Sequence, residues 1–355
     1  MRWNDLPEVL SPVGRPLEAQ LAVGPRRQEL AGFEPIYRDF VDYIIRCTHR
    51  IWEEKNVGLC RTHYGDDCFL HTLAGPTIGA EVVTQNTIGA LAMSSDRQVI
   101  GEDVIWSDDG ARLYSSHRIT SRMTHMGDDA MLGPRTMRAA GVTTIADCAC
   151  RENRIVEEWL VRDNWRAVAQ VGGDPWAVAQ AQAATDREGD PDRHLWRATW
   201  IERTRREPDV DIPADHPAIV AARMLTGAFR HDLYGEAAAV LSPAAEIRWP
   251  SNRNGFGQGF WIGCATQLRS MLHDSSLRIE HIAARPLPAG DVAVAIRWTL
   301  TGAHRGLGVW GAPTGRELLI LAISHYRMRG AAIIEDITVF DELAVLRQIA
   351  GGLGT

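Results

Sequence analysis

Residues 333–349, IIEDITVFDELAVLRQI, repeat residues 155–171, IVEEWLVRDNWRAVAQV, without a gap. The aligned segments keep these identical pairs: Ile155/Ile333, Glu157/Glu335, Val161/Val339, Asp163/Asp341 and Gln170/Gln348. In each segment an alternating pattern typical of a β-strand leads into a short amphipathic helix. A repeat with so long a period is a whole domain rather than a solenoid unit, so it decides the fold.

The repeat continues upstream of these segments. Arg118, Thr120, His125, Gly127 and Pro134 recur 179 residues later (297 − 118) as Arg297, Thr299, His304, Gly306 and Pro313. The first segments recur after 178 residues (333 − 155), so one residue is lost between the two blocks. The sequence therefore predicts an N-terminal extension at 1–33, a first domain at 34–173, a linker at 174–214 and a second domain at 215–355.

Composition limits the classes of function. The 355 residues carry a net charge of −7 without a long basic block, which argues against nucleic acid as a partner. No apolar run reaches the ~18 residues that a membrane helix needs, and the first residues lack the apolar core of a signal peptide. Six scattered cysteines favour a reducing compartment. We therefore expect a cytoplasmic protein whose partner is a small molecule.

Each predicted domain begins with helical patterns and continues with long alternating runs. In the second domain, helices are predicted over 217–231 and 260–273, and strands over 276–284, 291–304, 316–328 and 332–339. Helices followed by a run of antiparallel strands indicate an α+β fold with the helices on one face of a sheet. The glycine-rich segment 251–259 is interpreted as a loop at the lip of a pocket.

Three motifs of the second domain carry a resemblance to a known family. They are GAHRGLGVWGAPTGR at 302–316, ISHYRM at 323–328 and the strand–helix segment 333–349. Together they resemble the SnoaL-like polyketide cyclases of the nuclear transport factor 2-like, cystatin-like α+β superfamily. The first domain keeps His125, Gly127, Pro134 and Asp163 but has lost the Pro-Thr-Gly-Arg turn.

The resemblance implies two tandem cone-shaped domains, each a curved antiparallel or mixed sheet wrapped over its N-terminal helices. It also implies an apolar pocket and catalysis without metal or organic cofactor, with an Asp and a His moving protons during ring closure. If the family Asp directly follows the Trp of the last strand, Leu160 and Thr338 stand there and the acid is missing. If it is the later Asp, Asp163 and Asp341 keep it.

Strand alternation gives an independent set of candidate acids. Ile155, Glu157, Trp159, Val161 and Asp163 share one predicted face, and Ile333, Glu335, Ile337, Val339 and Asp341 share its counterpart. As the more apolar faces, they are expected to point into the pockets, where a carboxylate has a raised pKa suited to general acid/base catalysis. Alternatively, the Glu residues sit at the rim or pair with Arg, and the two Asp residues cap the following helices.

Further candidates are histidines and aromatic residues. His325 alternates with Leu319, Leu321 and Ile323, and its counterpart is Asp147; it is either a proton carrier or a buried core histidine. His304 and His125 line the pocket mouth or bond a carbonyl in a turn. His71 and Trp249, interpreted as matching positions in the first strand, contact ligand or fill core, and Trp159 and Arg297 are further candidates for substrate binding.

One arrangement has the residue types of a zinc site. Cys60, His63, Cys68 and His71 form C-x2-H-x4-C-x2-H. Cys68 and His71 would point to opposite faces of a strand, and the second domain has no equivalent, so we predict no metal site.

The sequence favours a cofactor-independent cyclase, isomerase or lyase acting on a small apolar carbonyl compound. The alternatives are an epoxide-type hydrolase, in which Arg118 or Arg297 would supply the Arg of an Asp–Arg–Asp arrangement, and a non-catalytic binding or assembly protein. Because the second domain keeps the family turn, it is predicted to hold the principal site, with His325 and Asp341 as proton carriers. The two sheets are predicted to pair within the chain, with a homodimer also possible.

Overall fold

The first domain places three of its helices before its first strand and a fourth before its four longest strands. In a computed structural model, which describes residue 3 and residues 15–186 and 191–351, the helices are α1 (Leu17–Gln20), α2 (Phe40–Trp52), α3 (Leu59–His63), α4 (Ala80–Met93) and α5 (Asn164–Gln170). The strands are β1 (Tyr64–His71), β2 (Thr77–Ile78), β3 (Gln98–Asp108), β4 (Leu113–Thr124), β5 (Ala139–Arg151) and β6 (Arg154–Arg162). Residues 1, 2 and 4–14 of the predicted N-terminal extension lie outside the described residues.

The second domain repeats this order. Its helices are α6 (Pro175–Asp186), α7 (Pro191–Arg206), α8 (Ala218–His231), α9 (Tyr234–Ala238), α10 (Gly257–Met271) and α11 (Glu342–Ile349). Its strands are β7 (Leu241–Trp249), β8 (Arg253–Phe256), β9 (Leu272–Pro286), β10 (Asp291–His304), β11 (Glu317–Arg329) and β12 (Ala332–Phe340), with a 3₁₀ turn at Pro288–Gly290.

The two sheets have one topology. The strand order is β2-β1-β6-β5-β4-β3 in the first and β8-β7-β12-β11-β10-β9 in the second. The β1–β6 and β7–β12 pairs are parallel, and the other neighbouring strands are antiparallel. The predicted fold class, α+β in two tandem copies with mixed sheets, is confirmed.

The chain divides into two units at nearly the repeat boundary. The first unit comprises residues 1–72, 76–162 and 167–173, and the second comprises 73–75, 163–166 and 174–355. The segment predicted as a linker contains α6 and α7 and belongs to the second unit. Helix α7 packs on β9, β10 and β11, where the Thr204 hydroxyl donates to Thr299 Oγ1 at 2.9 Å.

Helix α2 shows how sequence builds the floor of the first domain. The Asp39 side chain caps its N-terminus by accepting from the Asp42 backbone N–H at 2.8 Å. Tyr43, Ile44 and Cys47 recur at helical spacing and are all buried. They give α2 an apolar face that packs toward the sheet.

The glycine-rich segment 251–259 is not a loop at a pocket lip. It forms the edge strand β8 and the first turn of α10. Gly257 joins them at φ +76°, where a Cβ would lie 2.5 Å from the Pro243 carbonyl oxygen. The glycine therefore allows a tight strand-to-helix turn rather than an opening.

A bulge in each last strand decides which side chains face the helices. Ile155 pairs with Cys150 and Glu157 pairs with the adjacent Ala149, so β6 carries one extra residue at this point. In the second sheet the same shift occurs where Ile333 pairs with Met328 and Glu335 with Arg327. Such a bulge reverses the alternation beyond it. Ile155 therefore does not share a face with Glu157, as simple alternation predicts.

Candidate functional site

A cavity of about 120 Å³ lies between α2 and the inner face of the first sheet, the face that carries Glu158. Its lining is mostly apolar and aromatic, from Tyr43, Ile44, Cys47, Ile51, Trp52, Leu70, Val99, Ile119, Ala146, Cys148, Ile155 and Leu160. The polar lining comes from Thr48, Tyr64, Arg97, His117, Ser121, Thr144, Glu158 and Arg162. Such a site, apolar with a few polar groups, is typical of small-molecule pockets.

Glu158 is the acid of this cavity. It is 4% exposed, and burial raises the pKa of its carboxyl to about 7, against the opposing Arg162 charge and a hydrogen bond from the Tyr64 hydroxyl. Among the described residues, Glu158 Oε2 has no hydrogen-bond partner. Near neutral pH this carboxyl can therefore both accept and donate a proton, and one oxygen is open to a ligand.

His117 lies on β4 in the same cavity. Burial lowers the pKa of its imidazole to about 4, and the nearby Asp103 charge only partly opposes the shift. Its Nε2 atom has no hydrogen-bond partner among the described residues. At neutral pH the ring is uncharged, so it can offer a hydrogen bond but no positive charge.

Two arginines mark one end of the cavity. Arg162 is exposed and lies four residues beyond Glu158 on the inner face of β6, which places the mouth at that end of the strand. Arg97 is half-buried, and burial together with the Arg162 charge lowers the pKa of its guanidinium to about 10. The cavity therefore carries a carboxyl deep inside and two positive charges nearer its mouth.

The equivalent volume of the second domain is filled by larger side chains. Strand pairing matches Ile119, Cys148 and Arg162 with Trp298, Tyr326 and Phe340. All three replacements are at most 2% exposed. Trp298 stacks on Phe229 of α8 at 5.6 Å between ring centroids. Three aromatic rings therefore occupy the positions at which the first domain leaves space.

Asp336, the counterpart of Glu158, is held in a closed hydrogen-bond network. Its Oδ2 accepts from the Trp249 and Trp261 indole N–H groups at 3.2 and 2.8 Å, and its Oδ1 accepts from the Thr338 hydroxyl at 2.7 Å. Burial raises the pKa of the Asp336 carboxyl to about 6. With both oxygens engaged, this carboxylate stabilises the core rather than facing a ligand.

The acids selected by alternation point to the opposite, outer face, so their predicted orientation is wrong. Glu157 lies 3.0 Å from His71 Nε2 and 3.4 Å from the Arg112 guanidinium. Glu335 likewise pairs with Arg248 at 3.1 Å. The bulge is one reason. The other is that both faces of the last strands contain buried residues, so an apolar pattern does not single out the cavity side.

The two later Asp residues cap helices. Asp163 accepts from the Arg166 backbone N–H at 3.2 Å and from that of Ser251 at 3.1 Å, and burial raises the pKa of its carboxyl to about 6. Asp341 accepts from the Ala344 N–H at 3.1 Å and from the Asn164 amide at 2.6 Å. Neither residue lines the cavity. The structure therefore agrees with the alternative in which both Asp residues cap the following helices.

The remaining strand candidates also lie on the outer faces. His325 pairs with Ala295 and Ile337, on the face opposite Asp336, and is 1% exposed. Asp147 pairs with Trp159 in the first sheet. Arg297 Nε lies 3.4 Å from Glu280. The structure does not bring His325 and Asp341 together in a cavity, nor does it bring Asp147 to the Glu158 side.

His125 and His304 anchor equivalent turns. Their Nδ1 atoms lie 3.2 Å from the hydroxyls of Thr136 and Thr314. Both rings are buried, and burial lowers the pKa of His304. Both histidines therefore lie in turns, as the second alternative predicts, but their rings contact a threonine hydroxyl rather than a carbonyl.

His71 and Trp249 are not equivalent, contrary to the sequence interpretation. His71 pairs with Trp159 in the first sheet. The counterpart of Trp159 in the second sheet is Ile337 (337 − 159 = 178), which pairs with Arg248. His71 therefore matches Arg248, and each contacts the outer-face Glu of its sheet. His71 also stacks on Trp159 at 5.1 Å between ring centroids, whereas Trp249 faces Asp336 in the core.

The side chains of the C-x2-H-x4-C-x2-H pattern go to separate partners. Cys60 contacts Thr87 Oγ1 at 3.8 Å, His63 bonds the Tyr37 hydroxyl at 2.6 Å, and His71 bonds Glu157. Across the described residues, no three His, Cys, Asp or Glu side chains come together as metal ligands.

Sequence reasoning missed Glu158, His117, Arg97 and Arg162. One signal was available for the first of these: an acid recurs at this position of the repeat, as Glu158 and Asp336, just as it does at Glu157 and Glu335. Choosing between the two pairs required the position of the bulge, which depends on strand pairing.

Comparisons with known proteins found one family and several solved structures similar to parts of this chain. Residues 219–349 match the family described as SnoaL-like polyketide cyclase. Among solved structures, IdmH from Streptomyces antibioticus matches 37% of this chain and 97% of its own, at 23% identity and a TM-score of 0.33. A Jannaschia sp. CCS1 protein assigned to the SnoaL-like polyketide cyclases matches 38% of this chain and 91% of its own, at 19% identity and a TM-score of 0.32.

A Bacillus cereus ATCC 10987 protein assigned as a polyketide cyclase matches 42% of this chain and 98% of its own, at 16% identity and a TM-score of 0.32. No curated protein matches the chain. Within the described residues, none of the helices combines the length and apolar character needed to cross a membrane.

Proposed function

Because residues 219–349 match the SnoaL-like polyketide cyclases and both domains share one sheet order, we propose that the chain is a cyclase- or isomerase-type enzyme. Its working site is the cavity of the first domain, in place of the second-domain site predicted from sequence. The observation that carries this proposal is Glu158: a buried carboxyl, with a pKa near 7 and an open Oε2, inside an apolar cavity.

Glu158 acts as the proton carrier on a carbonyl compound. Its Oε2 accepts a proton from the carbon next to the carbonyl, and the electron pair of that C–H bond passes to the carbonyl oxygen as an enolate. The same carboxyl then returns the proton to the rearranged substrate. Tyr64 positions the carboxyl through its hydrogen bond, and the neutral His117 is a donor for the developing oxyanion.

The cavity supports proton transfer better than epoxide hydrolysis. A hydrolase of that type needs two carboxylates and an arginine around one water. Of the described residues that line the cavity, Glu158 is the only carboxylate. The arginines predicted for that mechanism, Arg118 and Arg297, pair with Glu102 and Glu280 instead.

We also place the enzyme in a reducing compartment such as the cytoplasm. All six cysteines are buried with free thiols, which supports this location.

The test is a screen of carbonyl compounds, from small keto acids and β-keto esters to fused-ring polyketides, by thermal shift and then by turnover. Removal of a positioned acid/base group costs about 10²–10⁴-fold in rate. Glu158→Gln should lose turnover by such a factor while circular dichroism shows the wild-type fold. Full turnover by a folded Glu158→Gln variant would leave only a non-catalytic binding role for this cavity.

A further inference from the structure

The cavity contains a cation without a matching carboxylate. Arg97 Nε is buried and has no hydrogen-bond partner among the described residues. Its Nη2 atom donates to the Met123 sulfur, a weak acceptor, at 2.7 Å. Asp129 and Asp96 influence it by charge alone, and no carboxylate hydrogen-bonds to it in the described part of the chain. A buried charged donor left in this state costs free energy unless a ligand satisfies it.

Other contacts orient the Arg97 guanidinium without neutralising it. Its Cζ lies 5.3 Å from the centre of the Trp52 ring, and both residues line the cavity. A cation held over an aromatic face keeps its planar fork of donors available at its edge. The exposed Arg162 adds a second positive charge near the mouth.

Both cations are peculiar to the first domain. Gln98 pairs with Arg122, and Ser276 pairs with Thr301, the counterpart of Arg122 in the repeat (301 − 122 = 179). Gln98 therefore corresponds to Ser276. The residue before each, Arg97 and Ser275, corresponds as well. Arg162 corresponds to Phe340. The domain that retains the cavity is therefore also the domain that carries the two arginines, and the filled domain has neither.

The volume limits what can be bound. An engineered apolar cavity of about 150 Å³ holds benzene, so this cavity of about 120 Å³ takes roughly six non-hydrogen atoms, plus a group at its mouth. Fused-ring compounds are too large for it.

We infer that the substrate is a small keto acid, with its carboxylate bound by Arg97 and its ketone end directed toward Glu158. This inference rests on the proposed function and names the substrate class of the same site. Arginine binds a carboxylate through two parallel N–H donors, which fixes orientation as well as position. The carboxylate at the mouth then directs the acidic C–H bonds next to the ketone into the apolar interior, where Glu158 Oε2 is open.

A matched pair of probes tests the inference: 4-oxopentanoate and its amide, which differ only in the charged group. Calorimetry should show that the wild-type protein binds the acid about 10- to 100-fold more tightly than the amide. Arg97→Gln should lower the affinity for the acid to that for the amide and leave amide affinity unchanged. Arg97→Lys, which keeps the charge, should restore part of the preference. Melting curves establish that each variant is folded.

The same samples separate this inference from the proposed function. Proton–deuterium exchange next to the ketone, followed by NMR in D₂O, reports the action of Glu158. Glu158→Gln should keep the acid preference and lose exchange. Equal binding of acid and amide, a preference that survives Arg97→Gln, or no binding of the acid at millimolar concentration overturns the inference. An intact acid preference without wild-type exchange supports the anion site and contradicts the proposed function.

Discussion

Glu158 differs from Asp336 in what its surroundings leave open. Both carboxyls are buried and have raised pKa values, yet Asp336 has hydrogen-bond donors on both oxygens, whereas Glu158 Oε2 has none among the described residues. A raised pKa therefore does not distinguish a structural acid from a functional one here. The distinction lies in whether an oxygen still faces open volume.

Glu158 should also make stability depend on pH. Its folded-state pKa of about 7 lies above the unfolded value of 4.5, so the folded state binds more protons between these values. Wild-type stability should therefore fall as pH rises from about 4.5 to about 7, by on the order of 3 kcal/mol from this group. The Glu158→Gln variant has no carboxyl at this position, so its stability should not show this decrease between about pH 4.5 and pH 7.

The measurement is the difference in melting temperature between Glu158→Gln and wild type at pH 5 and at pH 8. The variant should gain on the wild type as pH rises, because the other titrating groups cancel in the difference. A difference that stays constant or shrinks toward pH 8 would show that Glu158 ionises at no cost to the folded state.

At the scale of elements, the positions of the strands could be predicted from sequence. Which side chains of the last strands face the helices could not. Long alternating runs such as 291–304 gave strand β10 its observed bounds, and the repeat predicted that β6 and β12 would be equivalent. The bulges before Glu157 and Glu335 depend on hydrogen bonding to the neighbouring strand, which single-strand patterns do not contain. Helix α7 packs on part of the outer face of the second sheet. Side chains on that face are therefore also buried, so an apolar pattern does not identify the inner face.

The cavity depends on a few side chains on strands common to both domains. Ile119→Trp introduces the residue that the second domain carries at the matching position, and the ring should occupy the cavity. We expect the variant to fold, and to lose ligand-induced thermal stabilisation and turnover. Binding that is undiminished in a folded Ile119→Trp protein would mean that the ligand site lies elsewhere.

The matched control is the reverse change, Trp298→Ile, in the second domain. Removing the ring that stacks on Phe229 leaves a hole in a packed core and should destabilise that domain by about 2–4 kcal/mol in denaturant unfolding. Ligand binding by the first domain should stay as in the wild type.

At the scale of the molecule, the two copies share one sheet order but differ in the side chains between helices and sheet. One copy keeps an apolar cavity with a few polar groups, and the other carries Trp298, Tyr326 and Phe340 at three of the lining positions. The turn Pro313-Thr314-Gly315-Arg316 led the sequence interpretation to the second domain. In the structure, the backbone N–H groups of Thr314 and Gly315 donate to the backbone carbonyl of His304 and so close the loop between them. The retained motif therefore indicated the fold rather than the location of the cavity.

The pairing of the two sheets within the chain stays a prediction from sequence. If the sheets pair, small-angle X-ray scattering of the monomer should give a radius of gyration of about 20 Å, the value for a compact chain of this length. A two-lobed profile with a markedly larger radius would contradict the pairing.

The central claim is that chemistry occurs in the first domain, at Glu158, while the second domain's equivalent acid is structural. Its most direct test is turnover of one substrate by Glu158→Gln and by Asp336→Asn, measured side by side with folded protein. The account predicts a loss of about 10²–10⁴-fold for Glu158→Gln and wild-type turnover for Asp336→Asn, whose amide oxygen can still accept from Trp249 and Trp261. Wild-type turnover by Glu158→Gln together with a comparable loss in Asp336→Asn would contradict it.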